Sequence, residues 1–180
     1  IALAEPLLRL RYVEPAVDRP VVREVQKWLV LDTDVGYTWR HDVTPGKNIR
    51  FDNADIEAPP LSTDEFGTIN TPDAIAARRN GKPVDVLGLG DSFMEMAAPD
   101  FHRAFHDAGL SYYSLAVHRY SPAHYARMLE AHGFALRPKT ILVGLFENDF
   151  AEIADFDAWQ RSGLDWFEFH SGTWCGPPVR

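Results

Sequence analysis

Residues 83–96, PVDVLGLGDSFMEM, contain a run of small and branched apolar residues that ends at Gly90 and is followed at once by Asp91 and Ser92. A continuous apolar run of this length predicts a parallel strand that is buried on both faces. Two explanations fit such an ending. The strand meets a turn at the surface, or it presents Ser92 as a nucleophile at its carboxyl end.

The same alternation of apolar runs and helical patterns continues downstream of this strand. Pro99 suits a first helical turn and Gly109 a helix stop, while Ser121, Pro122 and Gly133 suit the cap, first position and end of the next helix. Strand followed by helix, three times over, predicts an α/β fold with a doubly wound parallel sheet and right-handed crossovers. The strands are predicted at 83–90, 111–117 and 139–146, and the helices at 99–109, 121–133 and 149–163.

Residues 1–80 form a different kind of segment, rich in Pro, Asp and turn residues. It predicts one strand over Lys27–Leu31, a turn over Asp32–Gly36, a short strand around Asn48–Phe51 and a loop over 55–70. The sequence therefore divides into a lead-in, residues 1–80, that packs on an α/β core, residues 81–180.

Composition limits the classes of function. With 180 residues, 46% hydrophobic and 24% charged, the chain can form one soluble domain with a sizeable core. The net charge of −8 argues against nucleic acid, and the nearest basic cluster is only Arg78-Arg79. Cys175 is the single cysteine, which excludes an internal disulfide and a thiolate metal cluster. No histidine pair has zinc-site spacing, so we expect neither a metal nor a cofactor.

Polar residues end all three predicted strands. They are Gly90-Asp91-Ser92, Val117-His118-Arg119 and Glu147-Asn148-Asp149. Carboxyl ends of parallel strands meet at one edge of a sheet, where α/β proteins place their sites. There Ser92 could attack a carbonyl, while its own N–H and the Asn148 amide hold the oxyanion; one such donor contributes about 3 kcal/mol to the transition state. Such a serine also needs a base, usually a histidine.

Several of these motifs resemble those of one known family. GLGDSF resembles the first block of the GDSL/SGNH hydrolases and GLFENDF their Gly-x-Asn-Asp block; DVGYTWRHDVTPG and LSTDEFGTIN resemble the lead-in of bacterial members. The resemblance implies a flavodoxin-like three-layer α/β/α sandwich and serine-dependent ester hydrolysis or acyl transfer. Ser92 would be the nucleophile and Asn148 an oxyanion donor, with Asp91 and Asp149 fixing the loops. The substrate would be a small or carbohydrate-linked acyl ester.

The resemblance also bears on the cellular location. LAEPLLRL resembles the end of the amino-terminal anchor of such members, so we expect an extracytoplasmic protein whose parent carries a membrane anchor. The sequence indicates no oligomeric state.

The chain departs from the family pattern in three places. His118 and Arg119 stand where the family has a glycine whose N–H is the third oxyanion donor, which leaves Arg119 as a substitute donor, and Glu147 stands beside Asn148 where many relatives have glycine. The family's carboxyl-terminal Asp-x-x-His block is not found, since Asp165 and His170 have the wrong spacing. We therefore expect a core that is incomplete at its carboxyl end or a base elsewhere. His118 is the first candidate base.

Two other functions remain open. Asp32-x-Asp34 after a strand resembles the aspartate-nucleophile motif of haloacid-dehalogenase-like phosphatases. A non-catalytic carbohydrate-binding or assembly module of the same fold would use tryptophan side chains as stacking faces, and the candidates are Trp39, Trp159, Trp166 and Trp174. The remaining helix histidines are expected at solvated or partly buried surface positions: His102, His106, His124 and His132.

Overall fold

The protein has a mixed α/β fold, seen in a computed structural model that describes residues 29–43 and 62–170. The strands are β1 Leu29–Asp32, β2 Gly36–Trp39, β3 Ser62–Thr63, β4 Ile69–Asn70, β5 Val86–Leu89, β6 Tyr112–Ser114 and β7 Thr140–Val143. The helices are α1 Pro72–Arg79, α2 Ser92–Asp107, α3 Pro122–Met128, α4 Asp149–Ser162 and α5 Trp166–Phe169. A π turn, Leu129–Gly133, and a 3₁₀ turn, Phe134–Leu136, connect α3 to β7.

The three strands predicted from apolar runs form one parallel sheet in the order β6-β5-β7. Leu87 of the central strand lies opposite Tyr113 on one side and Ile141 on the other. Successive side chains of β5 point to opposite faces. Val86 packs against Ala98 of α2, whereas Leu87 belongs to the main core. The α/β prediction and its parallel sheet are confirmed.

β7 is less buried than its sequence predicts. The run ILVGLF predicted a third strand of apolar residues, and within it Ile141 and Val143 are exposed. Only Leu142 packs inward, against the small cluster under α2. Edge position does not explain this, because β6 is also an edge strand and is buried. Ile141 and Val143 share one face of β7, and that face is open to solvent.

The lead-in contributes two antiparallel hairpins within its described part. The predicted turn after β1 is present, because Asp32 Oδ1 accepts the N–H groups of Asp34 at 2.8 Å and of Val35 at 3.0 Å. Asp32 and Asp34 therefore lie in a hairpin turn, not at the end of a strand in the parallel sheet as the phosphatase motif requires. The predicted loop over 55–70 is confirmed for 64–68, which form a turn, and is wrong for the two residues on either side, where β3 and β4 pair.

α2 begins seven residues earlier than predicted, at Ser92 instead of Pro99. The Asp91 side chain caps it by accepting the Phe93 N–H, and the residues that follow include the strong helix formers Met, Glu and Ala. Pro99 lies inside the helix. The helix that carries the candidate nucleophile therefore starts directly at the end of the central strand.

The hairpins and the sheet share one hydrophobic core, which includes Tyr37 and Trp39 of β2, Leu87 of β5 and Met128 of α3. Three of the four tryptophans considered as carbohydrate-stacking faces are buried in it, namely Trp39, Trp159 and Trp166. These three rings offer no open stacking face, because they pack on one another and on neighbouring ring side chains. Trp174 lies outside the described residues.

Two of the histidines expected at the helix surface are buried. His102 bonds to Asn70 Oδ1 through Nε2, and His124 Nδ1 accepts the N–H of Ser121. Burial lowers the pKa of His102 to about 4 and that of His124 to about 3, so both are neutral at neutral pH. Gly133 does not end the helix as predicted; the left-handed residue that does so is Arg137.

The remaining expectations for the lead-in, the strand at Asn48–Phe51 and the anchor-like segment, lie outside the described residues, as does Cys175. Among the helices that are described, none has the length and hydropathy needed to cross a bilayer. Arg79 pairs with Asp42 and Glu65, so the small basic cluster is neutralised within the fold.

The Asp64 carboxylate is the main polar link between the second hairpin and the sheet. It is fully buried, accepts the Phe66 and Thr68 N–H groups through Oδ1, and accepts the Tyr113 hydroxyl through Oδ2. Asp64→Asn should lower the free energy of unfolding by about 1–3 kcal/mol, because the Tyr113 hydroxyl then loses a charged acceptor in a dry site. Denaturant titration measures this loss.

The matched control for this substitution is Asp73→Asn, on the exposed face of α1. It should change the free energy of unfolding by less than about 0.5 kcal/mol. Equal effects of the two substitutions would contradict a structural role for Asp64.

Candidate active site

Ser92 is the first residue of α2 and directly follows the tip of β5. Two glycines allow this close start. A Cβ on Gly90 would lie 2.2 Å from Met94 Cγ, and a Cβ on Gly144 would lie 2.3 Å from the same atom. The Met94 side chain therefore fills the space over the ends of β5 and β7, which brings the first turn of α2 down onto the sheet edge.

The amino end of α2 is suited to holding negative charge near Ser92. Amide groups of a first helical turn have no partner within their helix, and the helix dipole is positive there. Asp91, which is 1% exposed, accepts the Phe93 N–H at 3.0 Å and the Ser92 hydroxyl at 3.4 Å. Asp91 thus fixes the turn and accepts a hydrogen bond from the Ser92 hydroxyl.

The loop after β6 lies beside this turn, since the Val117 N–H donates to the Gly90 carbonyl at 3.3 Å. Its shape is set by the first hairpin: the Tyr37 hydroxyl donates to the His118 carbonyl at 2.6 Å. Arg119 has a φ of +59°, in the left-handed region that glycine adopts without strain. Arg119 therefore keeps a glycine-type backbone at the position where a glycine was expected.

Glu95 is a site residue that sequence reasoning missed. It is 1% exposed, and its Oε2 accepts the Trp39 indole N–H at 2.9 Å and the His118 backbone N–H at 2.8 Å. The His118 ring nitrogen Nδ1 lies 3.8 Å from the same oxygen. The available signal was its spacing, because a residue three after Ser92 lies on the same side of a helix. Glu95 joins the helix of Ser92 to the loop of His118.

The third strand tip is held by Asp149, which is fully buried. Its Oδ2 accepts the Phe146 N–H and the Tyr125 hydroxyl, each at 2.9 Å. Burial raises the pKa of the Asp149 carboxyl, and these two hydrogen bonds oppose the rise. The Asn148 side-chain amide is 3.5 Å from Asp149 Oδ1.

Glu152, one turn further along α4, is a second residue that sequence reasoning missed. Burial raises the pKa of its carboxyl to about 7, with the Arg119 charge opposing the rise and the Asp149 and Asp91 charges adding to it. The charged groups named here come from all three strand tips: Asp91 follows β5, Arg119 follows β6 and Asp149 follows β7. Nothing in the local sequence pattern predicted that burial.

The structure thus brings the three tips to one sheet edge but does not complete a hydrogen-bonded Ser-His pair. The Ser92 hydroxyl bonds to Asp91, and within the described part of the chain no hydrogen bond joins it to His118. His170, which follows Asp165 at the wrong spacing for the family's base, packs on Trp166 with ring centres 4.3 Å apart. Over residues 29–43 and 62–170, no cluster of metal-ligating side chains is found.

A cleft of about 1180 Å³ lies away from these tips, at the amino ends of the strands. Val84, Asp85 and Ser111 are among its lining residues, and Ser92, His118 and Asn148 are not. The carboxyl edge of the sheet is the stronger candidate for the active site, because open α/β sheets bind their ligands at that edge.

Comparisons with models of known protein families, with curated proteins and with solved structures return no match. The roles assigned to the tip residues therefore rest on the geometry above and on the sequence motifs.

Glu152 gives the site a measurable dependence on pH. Its folded-state pKa is raised from 4.5 to about 7, so between these values the folded protein holds a proton that the unfolded chain has lost. Stability should consequently fall as pH rises through this window. Glu152→Gln should show a smaller fall than the wild type in denaturant titrations at about pH 5 and about pH 8.

Glu147→Gln is the control for the pH experiment, because Glu147 is exposed in the same strand-tip segment. It should leave the pH dependence unchanged. A Glu152→Gln protein whose stability falls with pH as steeply as that of the wild type would rule out a buried, proton-holding Glu152.

Proposed function

We propose that this chain is a serine esterase or acyltransferase of the SGNH type, with a flavodoxin-like three-layer core and Ser92 as its nucleophile. One observation supports it above the others. Ser92 opens a 16-residue helix at the carboxyl end of the central strand, between a left-handed loop residue, Arg119, and Asn148. A packing role would not require this arrangement of polar residues at three tips.

In the proposed reaction, Ser92 Oγ forms a bond to the carbonyl carbon of an ester and its proton passes to a base. The oxyanion is held by the Ser92 N–H, the Asn148 amide and the Arg119 backbone N–H, which takes the place of the family's glycine. The C–O bond to the alcohol then breaks, and the base returns the proton to that alcohol. Water, or an acceptor alcohol, releases the acyl group from Ser92.

The base within the described residues is His118 in this proposal. Glu95 supports the assignment, because its buried carboxylate lies 3.8 Å from His118 Nδ1, where an acid that orients a catalytic histidine would lie. The ring must move to reach Ser92, since that hydroxyl bonds to Asp91 here. Hydrogen bonds of this kind are often long in the absence of substrate.

The alternative is a non-catalytic module of the same fold. It is favoured by the same Ser92–Asp91 hydrogen bond, which leaves the nucleophile without a histidine in contact. Burial of three tryptophans removes most of the aromatic surface that carbohydrate binding would need, so assembly is the stronger form of this alternative.

Fluorophosphonate labelling separates the two functions. An activated Ser92 should give one covalent adduct by intact mass, and Ser92→Ala should give none. Ser162→Ala, at an exposed serine near the end of α4, is the control and should label like the wild type. A folded wild-type protein that gives no adduct would reject the esterase and favour the non-catalytic module.

His118 is tested in the same assay. His118→Ala should slow labelling by about 100-fold or more, since general-base catalysis contributes 10²–10⁴-fold. An unchanged labelling rate would place the base elsewhere while leaving Ser92 as the nucleophile.

A further inference from the structure

The first turn of α2 has a polar side and an apolar side. Glu95 points toward the loop after β6, where it contacts His118. Phe93 points the other way and stacks on Phe146, which follows β7, with ring centres 3.6 Å apart and planes 7° apart. On the helix surface, Ser92 lies between the side of Glu95 and the side of Phe93. Any ester bound there meets charged groups on the β6 side and aromatic rings on the β7 side.

These rings are open to solvent, although they are stacked. Phe93 is 46% and Phe146 38% exposed, and Phe150, in the first turn of α4, is 61% exposed. Met96, three residues after Phe93 on the same helix, is 48% exposed. We call the three phenylalanine side chains, together with that of Met96, the aromatic shelf. Exposed apolar surface of this kind is typical of binding surfaces.

The shelf lies beside both groups that would contact the reacting carbonyl. Phe93 directly follows Ser92, and Phe146 comes two residues before Asn148. The Phe93–Phe146 stack therefore joins the nucleophile's turn to the loop of the oxyanion donor. When Ser92 and Asn148 hold the carbonyl group of an ester, the acyl chain attached to that carbonyl can extend directly onto the shelf.

We infer that the aromatic shelf binds the acyl chain of the substrate, so that the esters used are those of medium-chain fatty acids and the alcohol part lies on the side of His118 and Arg119. This inference rests on the proposed esterase function, which it makes more specific. Burial of methylene groups against the rings supplies the binding energy. A short acyl group such as acetyl does not reach most of the shelf.

Chain-length dependence is the first test. The ratio of kcat/KM for p-nitrophenyl octanoate to that for p-nitrophenyl acetate should be about tenfold or more, because the six additional methylenes are partly buried. Phe93→Ala and Phe146→Ala should each bring that ratio toward one. Phe134→Ala removes a phenylalanine that is 59% exposed before the amino end of β7, and it should leave the ratio unchanged.

Direct binding tests the shelf without catalysis. In calorimetry, the Ser92→Ala protein should bind sodium decanoate but not sodium acetate, and adding Phe93→Ala should abolish the decanoate binding. Circular dichroism of each variant verifies that it folds.

The outcomes separate the inference from the function on which it rests. Fluorophosphonate labelling together with a chain-length ratio near one would overturn the shelf and leave the esterase in place. No labelling would overturn the esterase, and absence of decanoate binding would then overturn the shelf as well. A dimer in sedimentation that Phe93→Ala dissociates would show that a second copy, not an acyl chain, covers the shelf.

Discussion

The packing of one methionine against two glycines determines how the strand ends come together. Met94 occupies the space in which Cβ atoms of Gly90 and Gly144 would lie, one at the tip of β5 and one just after β7. Because of this contact, α2 can begin at Ser92 and not after a longer connection. A larger residue at either glycine would push the helix off the sheet. Ser92 would then no longer lie next to the Asn148 loop and the aromatic shelf.

The lead-in is part of the site as well as of the core. The first hairpin contributes Trp39 to the Glu95 carboxylate and Tyr37 to the carbonyl of His118. The second hairpin contributes Asn70, whose side chain accepts the Ser114 N–H and donates to the Ser114 carbonyl on β6. Buried carboxylates and amides are costly unless they are hydrogen-bonded, so these contacts specify one docking position for the hairpins.

The sequence was sufficient for the elements whose pattern is local. Continuous apolar runs gave β5, β6 and β7, and the Asp32 turn and the cap at Ser121 were visible in single residues. Long-range packing explains the missed burial of His102 and His124, which pack against Asn70 and against Phe156 and Trp166 respectively. The other misses are local: Asp91 caps α2 so that it begins seven residues before Pro99, and β3 pairs with β4 across a short turn. For the site, strand ends predicted the serine and asparagine. Glu95 offered only its spacing from Ser92, and Glu152 offered no signal, because the burial of both side chains comes from other elements.

The bond between the Tyr37 hydroxyl and the His118 carbonyl joins residues 81 positions apart. Closing so long a loop is entropically costly, and contacts of this separation form slowly compared with those inside α2 or between α2 and β5. The loop after β6 takes part of its shape from that bond, in addition to its hydrogen bonds to Gly90 and Glu95. During folding, the helix of Ser92 can therefore form early, whereas the loop of His118 and Arg119 acquires its geometry only when the amino-terminal hairpin docks. Newly made chains would pass through a stage in which the nucleophile's turn is built and the loop opposite it is not.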